Sequence, residues 1–134
     1  MQKILIVDDS ATIRKMVRSS LHVIADAVFT EAATGLEAIE QLALGPVELI
    51  VLDLNMPDMH GVDVMKFVRG HKTYKDVPII VLTTRGDESS RETAVAAGAT
   101  TYLTKPFAPQ MLASTARELL GHTGNVVSRG QARS

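Results

Sequence analysis

Three stretches of this chain are apolar at almost every position: Lys3–Val7 (KILIV), Leu49–Leu52 (LIVL) and Ile79–Leu82 (IIVL). A strand with one wet face alternates apolar and polar residues. A strand without that alternation is covered on both faces, which places it in a parallel sheet between two layers of helices. Weaker strands at Val28–Thr30 and Thr101–Leu103 fit the remaining gaps. Helical patterns lie between the strands. Ile13, Met16, Val17, Leu21 and Ile24 follow the 3.6-residue period and are expected to face inward. Thr34 and Glu37 form a capping-box pattern that opens a helix with Leu36, Ile39 and Ala43 inward, stopping before Gly45-Pro46. Further helices are predicted over Val62–Arg69 and over Ser89–Ala97, the latter with Gly98 as its C′ residue. The last helix has Pro109 near its first position, Met111, Leu112, Thr115, Ala116, Leu119 and Leu120 inward, and its end at Gly121. The order is strand–helix five times: an α/β fold, (βα)5, with a doubly wound five-stranded parallel sheet.

A length of 134 residues fits one domain, read here as 1–121, with 122–134 as a flexible C-terminal tail or linker stub. With no cysteine there are no disulfides, thiolate nucleophiles or thiolate metal ligands. A formal net charge of −1 argues against a broad nucleic-acid footprint. No apolar run approaches the roughly 18–20 residues of a membrane span, and the N-terminal run is too short for a signal peptide. The expectation is a cytoplasmic monomer that binds neither nucleic acid nor membrane.

Ligands of an open parallel sheet bind beyond the carboxyl ends of its strands, where the strand order reverses. The residues there are Asp8 and Asp9, Asp53, Thr83 and Thr84, and Lys105-Pro106. Asp9 or Ser10 alone is explained as a helix cap. Capping explains neither Asp53 nor the lysine. Two carboxylates about 5 Å apart repel by roughly 3 kcal/mol at an effective dielectric near 20, so three of them call for a proton or a cation. Hard oxygen donors without His or Cys suit Mg²⁺, with Mn²⁺ as the alternative ion. Lys105 offers a compact positive charge to a phosphate oxygen. Asp53 is placed as a carboxylate nucleophile, a route to an acyl phosphate.

Val7-Asp8-Asp9-Ser10, Leu52-Asp53-Leu54-Asn55-Met56-Pro57, Leu82-Thr83-Thr84 and Lys105-Pro106-Phe107 stand in order along nearly the whole chain. Together they resemble the receiver domain of two-component response regulators, in its single-domain, CheY-like form with a flavodoxin-like fold. The resemblance implies that Asp53 is the phosphoacceptor for a histidine kinase, becoming 4-aspartylphosphate. It implies that Asp8 and Asp9 hold Mg²⁺ with Asp53 and the backbone carbonyl of Asn55, and that Thr83 and Lys105 bind the phosphoryl oxygens. Tyr102 is then the aromatic switch, and Lys105-Pro106 a cis peptide. Asn55 and Arg85 occupy positions that tune the lifetime of the phosphorylated state. The partners implied are a sensor kinase (of the chemotaxis type in the favoured version), a phosphatase, and a downstream protein such as a flagellar motor switch. Such a domain catalyses only its own phosphorylation and dephosphorylation.

Other features read as structural. His22, His60, His71 and His122 share no metal-ligand spacing, Met56, Met59 and Met65 read as packing, and Gly61 reads as a turn residue before a helix. The light apolar stripe of Ser89–Ala97 suits a movable element or a partner surface, and equally an ordinary amphipathic helix with a thin stripe. Rival functions fit less well. A haloacid-dehalogenase-type phosphatase needs a second acid where Asn55 stands, and a flavodoxin-like cofactor binder needs a phosphate cradle where Asp8 and Asp9 stand. A docking module independent of phosphate leaves the acid–hydroxyl–lysine set unexplained. A receiver cut from a longer regulator is the remaining alternative.

Overall fold

The computed structural model describes residues 2–54, 56, 61–84 and 88–124. The elements are β1 (Gln2–Val7), α1 (Ala11–Leu21), β2 (Ala27–Ala32), α2 (Gly35–Leu44), β3 (Leu49–Asp53), α3 (Gly61–Gly70), β4 (Ile79–Thr83), α4 (Glu88–Ala97), β5 (Thr101–Thr104) and α5 (Pro109–Gly124). All strand pairs are parallel, in the order β2-β1-β3-β4-β5. The expected (βα)5 doubly wound sheet is the fold.

Period-two geometry sends alternate strand residues to opposite faces. Ile4, Ile6, Leu49, Val51, Ile80 and Leu82 meet Val17 and Leu21 of α1 and Leu112, Ala116 and Leu120 of α5. Leu5, Val7, Ile50, Leu52, Ile79 and Val81 meet α2, α3 and α4 on the other side. Most of these strand residues are 0% exposed, and each such side chain contributes about 1.5–3 kcal/mol by leaving water. The order reverses between β1 and β3, so the two strands that carry Asp8 and Asp53 are neighbours at the sheet's centre.

Caps set the helix starts. Ser10 Oγ accepts from the Ile13 N–H and Thr34 Oγ1 from the Glu37 N–H, while Glu37 Oε1 accepts from the Ala33 N–H. Gly98 ends α4 with φ of 115°, a conformation that costs glycine little.

Several expected helix faces are displaced. On α2 the buried residues are Gly35, Ala38 and Leu42, whereas Leu36 and Ala43 are exposed and Ile39 is half-buried. Small residues at 35 and 38 let that helix lie close to the sheet and turn the larger Leu36 outward. Met16 and Met111 are also exposed. α1 and α5 close on each other through Val17, Leu21, Leu112 and Ala113, leaving both methionines on outer flanks. α5 runs past the expected stop at Gly121 to Gly124, since Gly121 does not take the left-handed conformation that ends a helix there.

Candidate functional site

The rim at the carboxyl edge of the sheet is built by three neighbouring strands. Asp8 follows β1 directly, and its backbone N–H continues the ladder by donating to the Ala32 carbonyl at 3.1 Å. Asp53 and Thr83 are the last residues of β3 and β4, inside the strands rather than beyond them as expected. Asp8, Asp53 and Thr83 are almost wholly buried, at 1%, 4% and 2% exposure, and Asp9 is exposed. One carboxylate oxygen from each of Asp8, Asp9 and Asp53 lies within 4.8 Å of the others.

Lys105 arrives from the opposite end of the chain. Its backbone N–H donates to the Thr83 carbonyl at 2.7 Å, and the Lys105–Pro106 peptide bond is cis. Its ammonium donates to Asp8 Oδ2 at 2.9 Å and to Asp53 Oδ1 at 3.3 Å. Burial disfavours the charged ammonium, but the hydrogen bond to Asp8 and the charges of Asp53 and Asp8 outweigh it, holding Lys105 above the ordinary lysine value. One ammonium against three carboxylates leaves the rim with an excess of two negative charges. These oxygen donors, close together and one of them open to solvent, could hold a hard divalent cation.

Gly61 owes its place to close backbone approach rather than to a turn conformation. A Cβ at this position would stand 2.6 Å from the Asp53 carbonyl oxygen and 2.8 Å from Leu54 Cα. The Gly61 N–H donates to the Leu54 carbonyl at 2.9 Å, drawing the start of α3 against the end of β3.

The structure therefore brings Asp8, Asp9, Asp53 and Lys105 together, with Thr83 joined to Lys105 through the backbone. Tyr102 lies apart from them on β5, half-buried, with the Arg91 guanidinium of α4 5.0 Å from its ring centroid. Asn55, Arg85, Met59 and His60 lie outside the described residues, as does the tail from 125 onward. His22 is exposed, and His71 stacks on Tyr74 at 4.3 Å, away from the rim. Phe107 packs into the core on the α1 and α5 side.

Three arginines play parts that the sequence did not signal. Arg14 Nη1 donates to the Asp8 carbonyl at 2.7 Å. Arg69 donates to the carbonyls of Gly98, Lys75 and Val77 and so joins the end of α3 to the turns around β4 and β5. Arg91 covers Tyr102. A basic residue on a helix ordinarily reads as solvated, so no pattern distinguishes these three.

Comparison with known proteins agrees with this geometry. Residues 4–117 match the family model described as the response regulator receiver domain. A chemotaxis protein CheY homolog of Campylobacter jejuni is 39% identical over 120 residues, which cover 89% of this chain and 92% of that protein. Chemotaxis protein CheY1 of Helicobacter pylori is 39% identical, with 89% and 97% covered. The structure of the chemotaxis response regulator CheY4 of Vibrio cholerae superimposes with a TM-score of 0.82 at 39% identity, covering 89% of this chain and 98% of that one. The chain belongs to the response regulator receiver domain family and is similar over most of its length to the family's CheY members.

Proposed function

We propose that this receiver takes up a phosphoryl group on Asp53 from the phosphohistidine of a sensor kinase, in a reaction that depends on Mg²⁺ held by Asp8, Asp9 and Asp53. The observation that carries the reading is the position of the Lys105 ammonium between the buried Asp8 and Asp53 carboxylates, beside the exposed Asp9. When bound, a divalent ion supplies charge neutralisation for the carboxylates and for the incoming phosphoryl oxygens.

The Asp53 carboxylate attacks phosphorus. A P–O bond forms as the P–N bond to the imidazole breaks, and the imidazole nitrogen keeps the electron pair. Lys105 then turns part of its charge from Asp53 to a phosphoryl oxygen, and the Thr83 side chain takes another. The new group brings about −1.5 to −2 charge and three acceptor oxygens. Drawing Thr83 and Lys105 toward it biases Tyr102, one strand away, and with it the α4–β5–α5 surface. Asn55 and Arg85 are assigned to tuning how long the acyl phosphate survives.

The relatives named as chemotaxis proteins support a kinase of the chemotaxis type and an output made by protein contact, a flagellar motor switch being the favoured target. No helix among the described residues is long and apolar enough to cross a membrane, and a cytoplasmic place is assigned. Incubation with Mg²⁺ and acetyl phosphate followed by intact mass measurement tests the proposal. The expected result is a gain of one phosphoryl group that needs Mg²⁺ and is lost in Asp53→Asn. An unchanged mass rejects it, and steady phosphate release from unrelated monoesters would favour a phosphatase instead.

A further inference from the structure

Asp8 has every polar group engaged. Its N–H is tied to Ala32 of β2, Oδ1 accepts from the Ser10 N–H at 2.9 Å, and Oδ2 accepts from Lys105. Its carbonyl oxygen is taken by Arg14, whose Nε donates to Glu31 Oε1 of β2 at 2.9 Å. Arg18 grips the other Glu31 oxygen at 2.8 Å but reaches no part of Asp8. Asp9 is exposed and takes no hydrogen bond from the described residues. The Asp8 carbonyl, the Asp9 N–H and the Asp9 Cα belong to one planar peptide, so whatever fixes that carbonyl also fixes where the Asp9 Cα stands beside the rim.

Arg14 is an odd choice for its place. The Arg14 N–H donates to the Ser10 carbonyl, which puts the residue one turn into α1. A cation there opposes the helix dipole. Side chains on a helix lean toward its N-terminus, and that lean carries the guanidinium back to the Asp8 carbonyl.

We propose that Arg14, braced on Glu31, is a positioning residue for the acidic rim: it holds the Asp8–Asp9 peptide so that both carboxylates address the same cation. The proposal rests on the metal-binding reading above and goes beyond it by naming what aims Asp9. The guanidinium fork suits the task because one planar group serves a carbonyl on one side and a carboxylate on the other, and lysine has no such fork.

The sign of the effect separates positioning from charge. Deleting a cation beside an anionic rim strengthens cation binding by Coulomb's law alone. Loss of an aiming contact weakens it, by about 10-fold or more for groups that orient metal ligands. The experiment is calorimetric titration of MgCl₂ into the unaltered protein, Arg14→Met, Arg14→Lys and Arg18→Met, with melting curves taken free of Mg²⁺. The expected result is an Mg²⁺ Kd about tenfold weaker in R14M, with a metal-free Tm within a few degrees of the unaltered protein. R14K, equal in charge but without the fork, should also weaken by several-fold, and R18M should stay within about twofold. Unchanged or tighter binding in R14M overturns the proposal, as does equal weakening in R18M. Should R14M fail to fold, R14K decides by the same criterion. An unaltered protein that gives no Mg²⁺ heat rejects the metal reading itself, whereas normal binding there with normal binding in R14M rejects only the role of Arg14.

Discussion

Lys105 and Asp8, 97 residues apart in sequence, meet in a 2.9 Å ion pair that closes the fold across its acidic rim. The lysine side chain is 13% exposed and that of Asp8 1%, so solvent screens the pair weakly. Burial works against the ammonium, yet the carboxylates raise its pKa above the ordinary value. A raised lysine pKa contributes stability that is fully present below the unfolded value, near 10.4, and is lost as pH climbs through the folded value. Denaturation midpoints of the unaltered protein should therefore fall across this alkaline window more steeply than those of Lys105→Met. Parallel midpoints for the two proteins above pH 10 would show that the pair is not what stabilises this edge. Lys105→Met should still bind Mg²⁺, because the substitution removes the ammonium that occupies Asp8 and Asp53 oxygens in the unaltered protein and leaves them to a cation.

Asp9 faces the opposite balance. It is exposed, and one of its carboxylate oxygens lies within 4.8 Å of those of Asp8 and Asp53. Free of metal it mainly adds repulsion, so Asp9→Asn should melt at or above the temperature of the unaltered protein. With Mg²⁺ the order should invert. A ligand at a hundred times its Kd stabilises the folded state by about 2.7 kcal/mol, and D9N, with an affinity about tenfold lower, should forfeit about half of that gain. Melting curves with and without MgCl₂ check both halves. A D9N protein that gains as much from Mg²⁺ as the unaltered one would remove Asp9 from the ligand set.

The central sheet was open to reading because Leu49–Leu52 and Ile79–Leu82 are apolar without alternation, and only burial on both faces allows that. The rim was open to reading for a related reason, since strand ends in a parallel sheet are where chemistry collects. Helix orientation was less legible. Leu36 fits an apolar period, yet α2 buries Gly35 and Ala38 instead, because closeness of approach and not hydrophobicity decides which stripe of that helix meets the sheet. The reach of Arg14 to Asp8 and of Arg69 to Gly98 was invisible in the sequence because both contacts are to backbone carbonyls, which every residue offers alike.

Thr30 on β2 carries a buried hydroxyl that finds no hydrogen-bond partner among the described residues. A hydroxyl removed from water without a partner costs about 1–3 kcal/mol. Valine has the same shape and favours strands at least as well. Thr30→Val should therefore stabilise the fold by about 1 kcal/mol, raising Tm by about 3–5 °C. Urea titration of the two proteins measures it. A loss of 1 kcal/mol or more would mean that the hydroxyl is satisfied after all.

The two ends of α3 should respond oppositely to the same substitution. A methyl group on Gly61 meets the Asp53 carbonyl at 2.6 Å and Leu54 Cα at 2.8 Å, and both are backbone atoms that cannot rotate away. Overpacking of this kind costs about 1–3 kcal/mol. The displaced backbone belongs to the proposed phosphoacceptor, and a misplacement near 1 Å can slow chemistry by about 10²-fold. Gly61→Ala should thus be less stable and should take up phosphate from acetyl phosphate at least tenfold more slowly. Gly70, at the other end of the helix, has open space where its Cβ would go. Gly70→Ala should be neutral or more stable by about 0.4–1 kcal/mol, chiefly by restricting the unfolded chain, with its labelling rate unchanged. Denaturation midpoints and intact-mass time courses on both variants check the pair. A G61A protein that labels at the normal rate would show that the junction of β3 and α3 can yield without moving Asp53.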